Sequence, residues 1–139
     1  MGKYKKLAAT ILVALNIGLV SATAIAAEFM SVTNASKLSK SGKVQLIDIR
    51  RPSEWRKTGV AKTAAQISMH QKGFFDKIKR QTKGNKNAPV ALICAHGNRS
   101  TWAVNELEKR GYTNVYNVKQ GMLGSPQGKG WLARGLPLK

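Results

Sequence analysis

The chain has 139 residues, of which 24 are Lys or Arg and 6 are Asp or Glu, giving a formal charge of +18. This length is typical of one domain, and a hydrophobic share of 42% is too high for a disordered polycation. The only cysteine, Cys94, excludes an intrachain disulfide. With only two histidines beside it, the chain lacks the ligands of a structural zinc site.

Residues 1–27 have the three-part pattern of a secretory signal: a basic tip, an apolar run over residues 7–20 and a tail of small residues. We expect cleavage near Ala26 or Ala27, which leaves residues 28–139 as one domain. The protein is then exported, to the periplasm or outside the cell, and is not stably inserted in a membrane. The alternative is an uncleaved anchor, because residues 7–27 are just long enough to cross a bilayer.

The positive charge belongs to the predicted domain. The leader holds three lysines, so residues 28–139 keep 21 basic against 6 acidic groups, a charge of +15. Such a charge ordinarily suggests nucleic acid, but export removes that partner, so we expect none. The lysines either form a solvated surface or attract small anions, anionic proteins or anionic lipid headgroups.

The predicted helices and strands alternate along the chain. Short, nearly continuous apolar runs favour strands covered on both faces of a parallel sheet, and apolar stripes at helical spacing favour helices between them. In chain order the predictions are a helix at 33–38, strands at 44–49 and, more weakly, 64–67, a helix at 74–80, a strand at 90–94, a helix at 100–110 and a strand at 115–118. They indicate a single α/β domain with an open, mostly parallel sheet flanked by helices on both faces. Ligands bind such sheets at the carboxyl ends of the strands, where Cys94 lies.

The segment that follows the predicted strand at 90–94 can make a thiol reactive. Backbone N–H groups of a tight loop and the positive end of the next helix dipole stabilise an anion, and Arg99 adds a charge. Gly97 supplies backbone freedom, and Ser100 is expected to cap the helix and offer a hydroxyl. A buried, inert thiol is the alternative. The combination of residues favours a functional thiolate, with these candidate site residues: Cys94, Ala95, His96, Gly97, Asn98, Arg99 and Ser100.

This loop resembles the active-site loop of the single-domain rhodanese sulfurtransferases, which reads Cys-x-x-Gly-x-Arg-Ser after an apolar strand. Further segments, in order and over nearly all of residues 31–139, resemble the same family: Asp48-Ile49-Arg50 with Glu54-Trp55, Gly111-Tyr112 with Val115, and Gly121, Trp131 and Gly135-Leu136-Pro137.

The resemblance implies a rhodanese-like fold and a sulfurtransferase in which Cys94 carries sulfane sulfur as a persulfide. The donor is a small anionic compound, either thiosulfate or a persulfide, and the acceptor is a thiol, cyanide or a protein. Neither a metal nor an organic cofactor is implied. Ala95 stands where many thiosulfate-using members carry a basic residue. Asp48 and Arg50 are expected to support loops through hydrogen bonds.

Two other functions are compatible with parts of this pattern. A phosphatase or arsenate reductase would also use a Cys…Arg loop, but only four residues separate Cys94 from Arg99, one fewer than in the tyrosine phosphatases. A persulfide carrier that serves one protein partner is the second alternative. The sequence leaves open whether His96 takes part in chemistry. It also assigns no role to residues 122–130, which we expect to be a mobile, Gly-rich loop.

Overall fold

Nine short elements form the domain in a computed structural model that describes residues 27–139. In chain order they are β1 (Glu28–Phe29), α1 (Val32–Lys40), β2 (Gln45–Asp48), α2 (Pro52–Thr58), β3 (Ala65–Gln66), α3 (Phe74–Gln81), β4 (Val90–Ile93), α4 (Asn98–Lys109) and β5 (Val115–Asn117). Residues 1–26, which contain nearly all of the predicted leader, lie outside the described residues. None of the helices between residues 27 and 139 has the length and apolarity needed to cross a membrane.

All strands are parallel, in the order β1-β5-β4-β2-β3. Successive side chains of a strand point to opposite faces, and the two faces carry separate apolar cores. Leu46 of β2 and Ile93 of β4 pack with α1 and Trp131 on one face. Their chain neighbours Ile47 and Leu92 pack with α3 and α4 on the other. The predicted α/β fold, with helices on both faces of a parallel sheet, is confirmed.

Helix boundaries follow local chemistry. The Oγ of Ser31 accepts a hydrogen bond from Asn34 N at 3.2 Å and begins α1. α4 ends where Gly111 adopts a φ of 87°, and the amides of Gly111 and Tyr112 bond back to the carbonyls of Glu108 and Leu107. This pairing is the Schellman motif that a glycine in this position favours.

Two elements were missed by the sequence analysis. α2 buries none of its residues fully, so it lacks the apolar stripe that reveals a helix. Its sequence signals are Pro52 in the first turn and Glu54, whose carboxylate accepts from the amide of Arg51 at 3.0 Å. β1 has only two residues, too few for a periodic pattern.

The loop after Cys94 packs directly on the segment after β5, and two glycines allow this approach. A Cβ atom on Gly97 would collide with the carbonyl of Lys119, and one on Gly121 would collide with the carbonyl of Ala95. Both glycines also have positive φ, at 92° and 67°. The amides of Met122 and Leu123 then bond to the carbonyls of Cys94 and Ala95, at 2.8 and 2.9 Å. The two segments therefore form one unit at the carboxyl end of the sheet.

We predict that Gly121→Ala lowers the free energy of unfolding by roughly 3 kcal/mol, because it combines a left-handed backbone with overpacking against fixed backbone atoms. Gly42→Ala is the matched control. Gly42 also has positive φ, at 74°, but among residues 27–139 no atom other than those of its chain neighbours lies within 4 Å of its added Cβ, so we expect a loss of about 1 kcal/mol. Urea denaturation measures both. Equal losses of unfolding free energy in the two variants would show that the close contact between residue 121 and Ala95 does not affect stability.

Candidate active site

Cys94 lies between β4 and α4, at the carboxyl end of the central strand. Its side chain is 1% exposed and packs within the apolar core formed with α3 and α4. The Sγ atom nevertheless has polar partners. It accepts hydrogen bonds from the amide of Gly97 at 3.1 Å and from the amide of Ser100 at 3.4 Å. The thiol is therefore buried, but on its loop side it meets the first turn of α4.

The active-site loop also contains backbone amides that are available to bind an anion. Those of Ala95, His96, Asn98 and Arg99 have no hydrogen-bond acceptor within the part of the chain that the structure describes. Free N–H groups at the start of a helix bind negative charge. They belong to the same loop and first helical turn as the two amides that donate to Sγ.

Ser100 does not cap α4 as expected. The cap is Gly97, and Ser100 is the third residue of the helix. Its Oγ lies 3.5 Å from Cys94 Sγ, with the thiol as donor, 2.8 Å from Asn117 Oδ1 and 3.0 Å from the carbonyl oxygen of Gly97. The sequence analysis missed Asn117. It lies at the end of β5 and is 1% exposed.

Arg99 forms an ion pair with a carboxylate, which was not predicted from the sequence. Its two terminal nitrogens donate to Glu54 at 2.6 and 2.7 Å. The hydrogen bonds from Arg99 lower the pKa of Glu54 to about 2 against the opposing effect of burial, and the hydrogen bond from the amide of Arg51 also lowers it. The same ion pair raises the pKa of Arg99. The pair links α2 to α4 beside the loop.

The two histidines have different surroundings. His70 Nε2 lies 3.4 Å from a terminal nitrogen of Arg99. Burial lowers the pKa of His70, and the nearby charges of Arg51 and Arg99 lower it further, which favours the neutral ring that can accept from Arg99. His96 is exposed, and its Nδ1 lies 2.7 Å from the carbonyl of Gly124. His96 thus connects the active-site loop to residues 122–130. Within that segment, two backbone hydrogen bonds join Ser125 and Gly128.

Asp48 and Arg50 form a buried ion pair, with side chains 0% and 1% exposed. Arg50 Nη2 donates to Asp48 Oδ2 at 2.7 Å and to the carbonyl of Gly59 at 2.8 Å, and Nη1 donates to Thr58 Oγ1 at 2.8 Å. Asp48 pairs with Ile93 across β2 and β4, one residue before Cys94. The pair joins the end of β2 to the end of α2, beside the site.

The exposed side chain of Asn98 lines a cavity of about 180 Å³ with His96, Lys119 and Gln127. This cavity lies next to the loop and does not include Cys94. Within residues 27–139 no group of three or more His, Cys, Asp or Glu side chains could hold a metal ion.

A family assignment follows from comparison with known proteins. The model of the rhodanese-like domain matches residues 31–124, and the chain belongs to that family. A sulfurtransferase of Allochromatium vinosum is 30% identical over 111 residues, covering 80% of this chain and 92% of the relative. An uncharacterised protein of Rickettsia rickettsii is 31% identical over 98 residues, covering 66% and 80%.

The fold agrees with this assignment. The solution structure of the polysulfide-sulfur transferase from Wolinella succinogenes superposes with a TM-score of 0.62, covering 81% of this chain and 78% of that one, at 24% identity. The predicted membership of the rhodanese family and its α/β fold are both confirmed.

We predict that Glu54→Gln destabilises the protein at pH 7 and that the difference from the parent shrinks as the pH falls. The folded-state pKa is depressed, from 4.5 to about 2. The ion pair therefore contributes fully above pH 4.5 and loses its contribution as the pH falls toward 2. Urea denaturation at pH 7, 4.5 and 3 measures the difference. Glu108→Gln is the control, since Glu108 forms no ion pair among the described residues. A difference that grows on acidification would contradict this account.

Proposed function

We propose that the protein is a sulfurtransferase that moves sulfane sulfur from a small anionic donor to a thiophilic acceptor through a persulfide on Cys94. The observation that carries this proposal is the position of Sγ. It accepts two N–H groups at the start of α4, and four further amides of the same loop and helical turn have no acceptor among the described residues. The sulfurtransferase of Allochromatium vinosum, which aligns over most of both chains, supports the same assignment.

The proposed cycle has two displacement steps. In the first, the Cys94 thiolate attacks the sulfane sulfur of the donor, a Cys94 S–S bond forms, and the donor's own bond to that sulfur breaks. With thiosulfate the leaving group is sulfite. In the second, a thiolate or cyanide attacks the terminal sulfur and leaves as a persulfide or thiocyanate, which returns Cys94 to the thiolate. Sulfur enters and leaves at the same oxidation level, so no external oxidant is needed.

The amides serve both steps. A persulfide places a second anionic sulfur beyond Sγ, and N–H groups without partners are suited to stabilise it. Because backbone dipoles are fixed before reaction, they stabilise charge without reorganising. The basic surface raises the local concentration of anionic donors. Ala95 adds no cation beside the nucleophile, so a persulfide donor is as compatible with the site as thiosulfate.

We predict that intact protein incubated with thiosulfate, or with an organic persulfide, gains one sulfur atom, about 32 Da, as Cys94 becomes a persulfide. Cyanide removes this mass with release of thiocyanate. Mass spectrometry of the intact protein measures both steps and compares the donors. Cys94→Ser is the matched variant, since it keeps the size of the side chain and removes the nucleophile. Sulfur loading that persists in this variant would overturn the assignment.

Phosphatase activity separates this proposal from its nearest alternative. The loop between Cys94 and Arg99 is one residue shorter than that of the tyrosine phosphatases, and Arg99 is paired with Glu54 instead of being free to bind a phosphate. We therefore predict no appreciable hydrolysis of p-nitrophenyl phosphate. Turnover that disappears in Cys94→Ser would show that the protein is a Cys-dependent phosphatase.

A persulfide carrier is the second candidate, and the 1% exposure of Cys94 favours it. A carrier would load with sulfur in the same assay but would release it slowly to cyanide or glutathione, because its acceptor is a particular protein. The rate of cyanide-dependent sulfur loss from loaded protein distinguishes the two candidates.

We also propose that residues 1–27 direct export and are then removed. After expression with the native leader in a Gram-negative host, the periplasmic protein should have the mass of a chain beginning at Ala27 or Glu28. A full-length protein retained in the membrane fraction would show that the segment is an anchor.

A further inference from the structure

The hydrogen bonds around Cys94 continue into the interior, to a residue with no assigned role. Asn117 does not contact the sulfur. Its Oδ1 accepts from Ser100 Oγ at 2.8 Å, and its Nδ2 donates to Thr101 Oγ1 at 2.8 Å. Thr101 Oγ1 in turn donates to the carbonyl of Gly97 at 2.7 Å. Asn117 therefore connects two hydroxyl groups of α4, one of which lies against the sulfur.

The order of protons in this network suits a protonated thiol. The S–H of Cys94 donates to Ser100 Oγ, and the single proton of Ser100 is directed to Asn117 Oδ1 or the carbonyl of Gly97. In this arrangement the hydroxyl proton points away from the sulfur. This arrangement does not suit a thiolate. An ionised sulfur has no proton to donate and needs hydrogen-bond donors directed at it.

A second arrangement serves the ionised sulfur. If the amide of Asn117 exchanges its oxygen and nitrogen, two groups of nearly the same shape, Nδ2 donates to Ser100 Oγ. The proton of Ser100 is then free to turn to Sγ, and the hydroxyl of Thr101 donates to Asn117 Oδ1. The carbonyl of Gly97 keeps a partner, because it also accepts from the amide of Thr101 at 3.0 Å. Both arrangements satisfy every buried group, so exchange between them leaves no polar atom unpaired.

We propose that Asn117 is a positioning residue that turns the hydroxyl of Ser100 toward Cys94 when the sulfur is ionised and away from it when the sulfur is protonated. An aspartate could not do this, because a carboxylate only accepts and would hold the proton of Ser100 away from the sulfur. An aliphatic residue would leave Ser100 Oγ without the donor that strengthens its bond to the anion. This proposal rests on the proposed function, because the orientation of the Ser100 hydroxyl affects catalysis only if Cys94 is the nucleophile that transfers sulfur.

Other charged or titratable groups lie in the segments packed around the active-site loop and must stay unchanged in a test. They come from β2, α2, the loop after β3, the active-site loop and α4, and are Asp48, Arg50, Glu54, His70, His96 and Arg99. None of them makes a hydrogen bond to Asn117. Substitutions of Asn117 therefore act on the sulfur through Ser100 or through the fold.

The test is a double-mutant cycle on the pH dependence of Cys94 alkylation by iodoacetamide. We expect Asn117→Leu to raise the pH midpoint of the alkylation rate by about one unit, the scale of one hydrogen bond to a charged group. Ser100→Ala should raise it by a similar amount. In the Ser100→Ala background, Asn117→Leu should add nothing, because the hydroxyl through which it acts is gone.

The controls separate positioning from packing. Asn114→Leu makes the same chemical change three residues earlier, at a side chain that bonds only to the carbonyl of Asn87, and should leave the midpoint unchanged. Thermal unfolding checks each variant, and Asn117→Ala replaces Asn117→Leu if the larger residue prevents folding. An unchanged midpoint in the Asn117 variant, or a shift that persists in the Ser100→Ala background, would overturn the proposal.

Sulfur loading of the parent protein and the double-mutant cycle together distinguish failure of the proposed function from failure of the proposed role of Asn117. If the parent protein loads no sulfur while the cycle shows coupling through Ser100, the proposed function fails and the role of Asn117 in ionisation stands. If the parent protein loads sulfur and the cycle shows no coupling, only the role of Asn117 fails.

Discussion

The hydrogen bonds from the first turn of α4 to Cys94 Sγ are the interaction on which the site depends. They exist because β4 ends immediately before Cys94 and α4 begins four residues later, with Gly97 in the left-handed conformation between them. A longer connection would carry the amides away from the sulfur. A buried sulfur without them would be an ordinary core thiol. The short strand-to-helix turn thus gives two backbone N–H donors to a sulfur that otherwise lies in an apolar core.

The turn keeps this geometry because other parts of the chain hold it from three sides. Gly97 and Gly121 allow the segment after β5 to pack against it with no side chain between. The pair of Glu54 and Arg99 ties it to α2, and Asn117 ties α4 to β5 from within. Each support comes from a different element. The site is therefore a property of the folded domain and not of the local sequence.

Because the site is assembled from distant parts of the chain, only its locally encoded elements could be predicted from the sequence. The main strands and α4 carry their own signals, an apolar run in Val90–Ile93 and an amphipathic stripe in Asn98–Lys109, and the loop lies between them. The contacts that complete the site join residues far apart in the chain. Glu54 lies 45 positions from Arg99 and Asn117 lies 17 from Ser100. No local pattern predicts such pairs, so the partner of Arg99 was not predicted, and the expected cap at Ser100 was wrong.

The source of electrostatic stabilisation at the sulfur also follows from these contacts. Arg99 is more than a quarter exposed and bound to a carboxylate whose pKa is about 2, so over the neutral range the pair contributes little net charge. The amides have fixed dipoles, and the two that donate to Sγ belong to the buried residues Gly97 and Ser100, where screening by water is weak. Dipoles that persist through every step can stabilise a thiolate and a persulfide alike, whereas a free cation would bind the donor and its anionic product equally well. This arrangement supports the proposed cycle, in which the same backbone amides would stabilise the thiolate and the persulfide of Cys94.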